Sequence, residues 1–151
     1  MTGKRRIEPA LLFNTNSADE TFALGERVAG LLSHGSVVAL EGALGSGKTQ
    51  LTKGIASGLG ITENITSPTY TIISEYQSSV CRLYHIDAYR LNNDKDFEDI
   101  GGTEVINSNG ISVIEWSGKI LKSLPENTIT ISIEITGQSS RIIKITGVKE
   151  I

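Results

Sequence analysis

The chain has one cysteine, one tryptophan and one methionine in 151 residues, three prolines, and an aromatic content of 5%. With Cys81 alone, no intrachain disulfide can form, and a lone thiol in an apolar run is expected to be a small core residue rather than a nucleophile. No apolar stretch approaches the ~20 residues that span a bilayer, so no membrane role is expected. The start, Met1-Thr2-Gly3-Lys4-Arg5-Arg6, is basic but lacks the apolar segment of a signal peptide, which makes the cytoplasm the expected location. A surplus of positive charge is missing too. The net charge of -3 and a pI near 5.4 argue against a domain that grips a nucleic-acid backbone alone, because such binding rests on neutralising phosphates. A role in nucleic-acid metabolism with a partner that does the gripping stays open.

What is present is ordinary for a folded soluble chain: 38% hydrophobic and 21% charged residues. No repeat or low-complexity linker divides it, so one domain over residues 1–151 is expected. Ser17-Ala18-Asp19-Glu20 has the spacing of a capping box, and Phe22, Leu24, Val28, Leu31 and Leu32 follow at helical spacing to a stop at Gly35. Ser36 to Leu40 has the unalternating apolar character of a strand buried on both faces. Leu51, Ile55 and Leu59 mark a second helix closed by Gly60.

Strands are expected over Ser67 to Tyr76 and Val80 to Ile86, a short acidic helix over Asp94 to Ile100, and an apolar strand over Ile111 to Ile114 that ends at Glu115. Thr128 to Thr136 and Arg141 to Thr146, around Gly137-Gln138-Ser139-Ser140, read as a hairpin. The order predicts an α/β fold: a parallel-cored mixed sheet flanked by helices, with a C-terminal antiparallel hairpin.

Between the first apolar strand and the second helix lies Gly42-Ala43-Leu44-Gly45-Ser46-Gly47-Lys48-Thr49, which matches the phosphate loop G-x-x-x-x-G-K-[ST] without exception. The glycines let successive N–H groups point inward at phosphate oxygens, and the helix that begins there turns its partial positive charge to the same anion. Lys48 supplies a mobile charge for the β- and γ-phosphates, and the Thr49 hydroxyl can ligate Mg²⁺. The expected nucleotide-contacting set is Gly42, Gly45, Ser46, Gly47, Lys48, Thr49 and Gln50, with ATP and Mg²⁺ as ligands. The absence of an Asn-Lys-x-Asp segment disfavours guanine, and the absence of an arginine-rich lid disfavours a small-molecule kinase.

A phosphate loop needs a carboxylate for Mg²⁺ and a group to orient the attacking water, both placed where strands end. Asp87, after Leu83-Tyr84-His85-Ile86, and Glu115, after Ile111-Ser112-Val113-Ile114, are the two candidates. Ser67 and Thr69, in Ser67-Pro68-Thr69-Tyr70-Thr71, are either part of a plain turn or a switch that senses the γ-phosphate. His85 reads as a half-buried strand residue, His34 as a residue at a helix C-terminus, Trp116 as core or rim packing, and Asn92 to Asp96 as a solvated loop.

Gly42 to Thr49, Ser67-Pro68-Thr69-Tyr70-Thr71, His85-Ile86-Asp87-Ala88-Tyr89-Arg90-Leu91 and Glu115-Trp116 occur together in this order in the TsaE (YjeE) family, and the chain resembles it from about Ser17 to Trp116. Thr21, Leu24 and Gly25 are similar to that family's first helix. The resemblance implies an ATPase that supports threonylcarbamoyladenosine synthesis on tRNA together with TsaB and TsaD, reaching tRNA through that assembly. It implies that Lys48 and Thr49 contact phosphates and Mg²⁺, that Glu115 is a Mg²⁺-associated acid, and that Asp87 is needed for hydrolysis. Ala43 and Gln50 stand where the family commonly has Asp and Thr. The alternatives are a non-catalytic ATP-sensing subunit and, more remotely, a small-molecule kinase.

Overall fold

Ser17 opens the first helix as its sequence requires: its hydroxyl accepts from the Glu20 N–H at 3.1 Å, while the Glu20 carboxylate reaches back to the N–H of Asn16 at 2.9 Å. The computed structural model describes residues 10–66, 72–148 and 151. Over these the chain forms β1 (Leu11–Thr15), α1 (Ala18–Ala29), β2 (Val37–Gly42), α2 (Lys48–Gly58), β3 (Ile73–Gln77) and β4 (Arg82–Asp87). Then follow α3 (Asp94–Asp99), α4 (Gly102–Ile106), β5 (Ile111–Glu115), a 3₁₀ segment over Ser117–Ser123, β6 (Ile129–Ile135) and β7 (Arg141–Thr146).

The seven strands form one sheet in the order β1-β7-β6-β2-β5-β4-β3. The middle four, β6, β2, β5 and β4, are parallel; β3, β7 and β1 pair antiparallel at the two ends. The expected parallel-cored sheet and the terminal hairpin are both present. Alternation along the strands then sorts side chains to two faces. Val38, Leu40, Leu83, Ile111, Val113, Ile131 and Ile143 pack with Leu24, Val28, Leu51 and Ile55 of α1 and α2. Val37, Ile86 and Ile114 face Phe97, Ile106 and Ile120 on the other side. The parity matters for function, because residues 83, 85 and 87 and residues 111, 113 and 115 share the α1–α2 face.

That face is held tight by two glycines. A methyl group added at Gly25 would run into the Leu51 carbonyl oxygen, and one at Gly54 into that of Phe22, coming within 3.0 Å of the Gly25 Cα. Backbone, unlike the end of a long side chain, cannot step aside. Gly54→Ala is therefore expected to destabilise the protein by about 1–3 kcal/mol, the usual cost of overpacking. At roughly 2–4 °C per kcal/mol for a domain of this size, thermal unfolding followed by circular dichroism would detect it. An unchanged midpoint would mean that the helices separate freely.

Three readings are corrected. Helix α1 ends at Ala29 with Gly30 as its cap, not at Gly35: Leu31 and Leu32 close in tight turns on the carbonyls of Val28 and Ala29. His34 consequently sits beyond the helix end, with Nδ1 3.2 Å from the carbonyl oxygen of Asn109. Asn93 is a cap rather than loose loop, its side chain accepting from the Asp96 N–H at 2.9 Å to start α3.

Candidate functional site

β2, in the middle of the sheet, delivers Gly42 to the carboxyl edge, and the loop that follows closes onto α2. Gly45 and Gly47 take φ of +79° and +109°, the left-handed region where a side chain is strained. Gly42 is required for space: a Cβ there would stand 2.5 Å from Ser46 Oγ and 3.0 Å from the Ile133 carbonyl oxygen. Gly47 caps α2 without any side-chain bond, which leaves the start of that helix to backbone donors.

Lys48 is 6% exposed and folds back over the loop. Its Nζ donates to the Gly42 carbonyl at 2.7 Å, lies 4.0 Å from the centre of the Trp116 ring, and is 3.9 Å from Glu115 Oε1. The cation thus has three partners within the protein. Trp116 is itself unusual. With φ 59° it is the one non-glycine residue of positive φ among the described residues, a conformation that costs about 1–3 kcal/mol and persists where surroundings enforce it. Lys48 stands over its face and Tyr89 packs against it edge-on, ring centres 5.1 Å apart.

The two acids arrive by sheet register. Asp87 and Glu115 are paired across β4 and β5, so both strand-terminal carboxylates sit side by side on the face that carries α2. Asp87 is oriented by its own turn: Oδ1 accepts from the Tyr89 N–H at 2.9 Å. Glu115, 6% exposed, is oriented by His85, whose Nε2 lies 2.5 Å from Oε2. His85 is two residues before Asp87 and diagonal to Glu115, a cross-strand reach that a long side chain spans. It is fully buried rather than half-buried, and an ionised Glu115 can only accept from it.

Two buried polar atoms at this site, Ser46 Oγ and His85 Nδ1, make no hydrogen bond among the described residues. No group of three or more His, Cys, Asp or Glu positioned to hold a metal occurs among the described residues. Mg²⁺ is commonly held by one or two protein oxygens plus phosphates and water. Thr49 on α2, Glu115 and Asp87 offer hard oxygen donors of that kind, so the residues fit the ion. Of the residues expected from sequence, the structure gathers Gly42, Gly45, Ser46, Gly47, Lys48, Thr49, Gln50, Asp87 and Glu115 at one edge. Ser67 and Thr69 lie outside the described residues.

Residues 15–143 match the family described as "Threonylcarbamoyl adenosine biosynthesis protein TsaE". The chain belongs to the TsaE family. It is 46% identical over 131 residues to the tRNA threonylcarbamoyladenosine biosynthesis protein TsaE of Treponema pallidum, covering 87% of this chain and 96% of that one. It is 41% identical over 138 residues to the TsaE of Bacillus subtilis, covering 91% and 86%. Its backbone superposes on the crystal structure of Bacillus subtilis YdiB with a TM-score of 0.78 at 34% identity, over 94% of this chain and 88% of that one.

The match runs from β1 into β7, and in this TsaE chain the far end of it holds what sequence reasoning missed. Arg141, the first residue of β7, sends its guanidinium to the phosphate loop: Nε donates to the Ser46 carbonyl at 2.8 Å and Nη2 to that of Gly45 at 3.4 Å. Beside it a cavity of about 290 Å³ is lined by Ser17, Thr21, Gln50, Gln138, Ser139 and Arg141 with Gly45 to Gly47 as its floor. Only the turn composition at residues 137–140 hinted at this end of the site, and it signalled a hairpin. No helix among the described residues of this TsaE chain is long and apolar enough to cross a membrane.

Proposed function

We propose that this TsaE chain binds Mg-ATP at Gly42–Thr49, hydrolyses it, and thereby supports threonylcarbamoyladenosine modification of tRNA together with TsaB and TsaD, in the cytoplasm. The observation that carries this reading is the meeting, on one sheet face, of a phosphate loop with its lysine, Asp87 and Glu115. The family name supports the pathway, and the chemistry of the site supports a nucleotide as ligand.

In this account Lys48 leaves the Gly42 carbonyl and the Trp116 ring for the β- and γ-phosphates, exchanging a neutral acceptor for anionic ones. Thr49 and Glu115 would hold Mg²⁺, with His85 fixing the Glu115 carboxylate. When bound, the ion would supply charge neutralisation at the phosphates. Asp87, pinned by the Tyr89 N–H, orients the attacking water. The nucleoside end extends from Gly45–Gly47 into the cavity beside Gln50 and Gln138.

An ATP-sensing subunit with little turnover is the second reading. One observation favours it: Arg141, an arginine at the loop, spends its donors on backbone carbonyls rather than pointing at the phosphate site.

Trp116 makes the binding step visible. It is the only tryptophan in the chain, and the Lys48 ammonium stands 4.0 Å from its ring centre. Titration with Mg-ATP is expected to give a saturable change in its fluorescence, absent from Lys48→Ala. A flat titration of the unaltered protein would contradict the proposed movement of Lys48.

A further inference from the structure

We propose that Arg141 is a positioning residue that sets the Ser46–Gly47 peptide of the phosphate loop for its ligand. This rests on the reading of Gly42–Thr49 as a phosphate site.

The loop needs outside support. Ala43, Leu44 and Gly45 are exposed, no atom beyond Gly45 and its chain neighbours lies within 4 Å of where a Gly45 side chain would begin, and its glycines tolerate many conformations. A loop in that condition loses entropy when it orders around an anion. Arg141 removes much of that freedom in advance. Its guanidinium makes four bonds to backbone carbonyls: Nε to Ser46 at 2.8 Å, Nη2 to Gly45 at 3.4 Å, and Nη1 to Gly137 at 3.0 Å and Ser140 at 2.8 Å. One planar fork thus fastens the loop to the β6–β7 turn, Arg141 standing 95 residues after Ser46 in sequence.

The anchor is rigid. Arg141 pairs with Thr15 on β1 on one side and with Ile135 on β6 on the other, and the turn is closed by the Thr136 N–H donating to the Ser140 carbonyl at 3.1 Å.

The direction of the pull has a consequence for chemistry. A trans peptide points its C=O and N–H in opposite directions, and no peptide bond among the described residues is cis. Drawing the Ser46 carbonyl toward Arg141 therefore turns the Gly47 N–H away from the hairpin. The Ser46 N–H is held separately, donating to the Ala43 carbonyl at 3.0 Å. Both peptide groups of Ser46 are fixed before a ligand arrives. A lysine could not do this, since one compact ammonium lacks the fork that reaches the loop and the turn together.

The test measures binding of Mg-ATP and of inorganic tripolyphosphate by calorimetry in Arg141→Ala and Arg141→Lys, with Lys48→Ala alongside. Tripolyphosphate has no nucleoside, so it separates an effect on the loop from a contact made to base or ribose in the neighbouring cavity. Both Arg141 variants are expected to lose affinity for both ligands, by about tenfold, as preorganisation is lost. The Gly47 amide is expected to exchange faster with deuterium in Arg141→Lys, which keeps charge and most of the stem and so guards against unfolding. Loss confined to ATP, or full affinity restored by lysine, would overturn the proposal. If Lys48→Ala binds tripolyphosphate normally, the phosphate-site reading itself fails; if only the Arg141 variants bind normally, the positioning role alone fails.

Discussion

Glu115→Gln and Asp87→Asn are each expected to lower ATP hydrolysis by about 10²–10⁴-fold while Mg-ATP affinity changes far less, because each removes a group that acts on water or metal rather than on the phosphate grip. Both substitutions are chosen to keep the scaffold. Gln at position 115 retains an oxygen that can accept from His85 Nε2, and Asn at position 87 retains one for the Tyr89 N–H. What each loses is charge. At 115 that charge stands 3.9 Å from Lys48 and beside the expected Mg²⁺ position; at 87 it stands opposite Glu115 in the register of β4 and β5. Single-turnover phosphate release, with circular dichroism to establish folding, checks both. Near-normal rates in two folded variants would reduce these carboxylates to polar strand ends.

Lys48→Ala is expected to weaken ATP binding by about 10²-fold. A hydrogen bond between charged partners contributes about 1.5–3 kcal/mol, and the proposal gives Lys48 two phosphates to hold. The full sum is not realised, since the ammonium must first give up the Gly42 carbonyl and the Trp116 face. The fold is expected to survive, because β2 and α2 are held by Leu40, Leu51 and Ile55 in the core rather than by this side chain. Calorimetric titration of the variant checks it, and unchanged affinity would remove the loop from the account.

The phosphate loop was legible because its chemistry is local. Glycines, lysine and threonine must stand at fixed spacing between a strand and a helix, and the apolar patterns on either side announced both. Asp87 and Glu115 were legible for a related reason: an acid that closes an apolar strand marks the carboxyl edge of a sheet, and β4 and β5 turned out to be neighbours in register. The central strands followed from short unalternating apolar runs, and the hairpin from alternation on either side of a Gly-Gln-Ser-Ser turn.

What escaped the sequence depends on distance along the chain. β1 is five residues long and pairs with β7, whose partner positions begin 126 residues after Thr15, so nothing near Leu11–Thr15 marks it as a strand. His85 looked half-buried because strand patterning cannot see that Glu115 waits on the neighbouring strand. Arg141 looked like the first residue of a β-strand, which it is; its bonds to Gly45 and Ser46 exist only because β7 and β2 both flank β6. The end of α1 was misplaced for a different reason. Leu31 and Leu32 continue the apolar pattern but do so in turns after Gly30, where hydrophobicity persists and helix does not.

The central claim is that this edge of the sheet turns over ATP and does so for a partner assembly. Its most direct test is steady-state phosphate release from Mg-ATP by the purified protein, alone and with TsaB and TsaD. Among the described residues the site offers loop donors, Lys48 and two acids, and the fork of Arg141 is occupied by backbone, so the account leaves part of the transition-state charge to a partner. A group contributed or ordered by a partner can raise such a rate by about 10³–10⁵. The account predicts slow release alone and a marked rise with the pair, abolished by Asp87→Asn. No release under either condition, or fast release that ignores both the partners and that substitution, would contradict it.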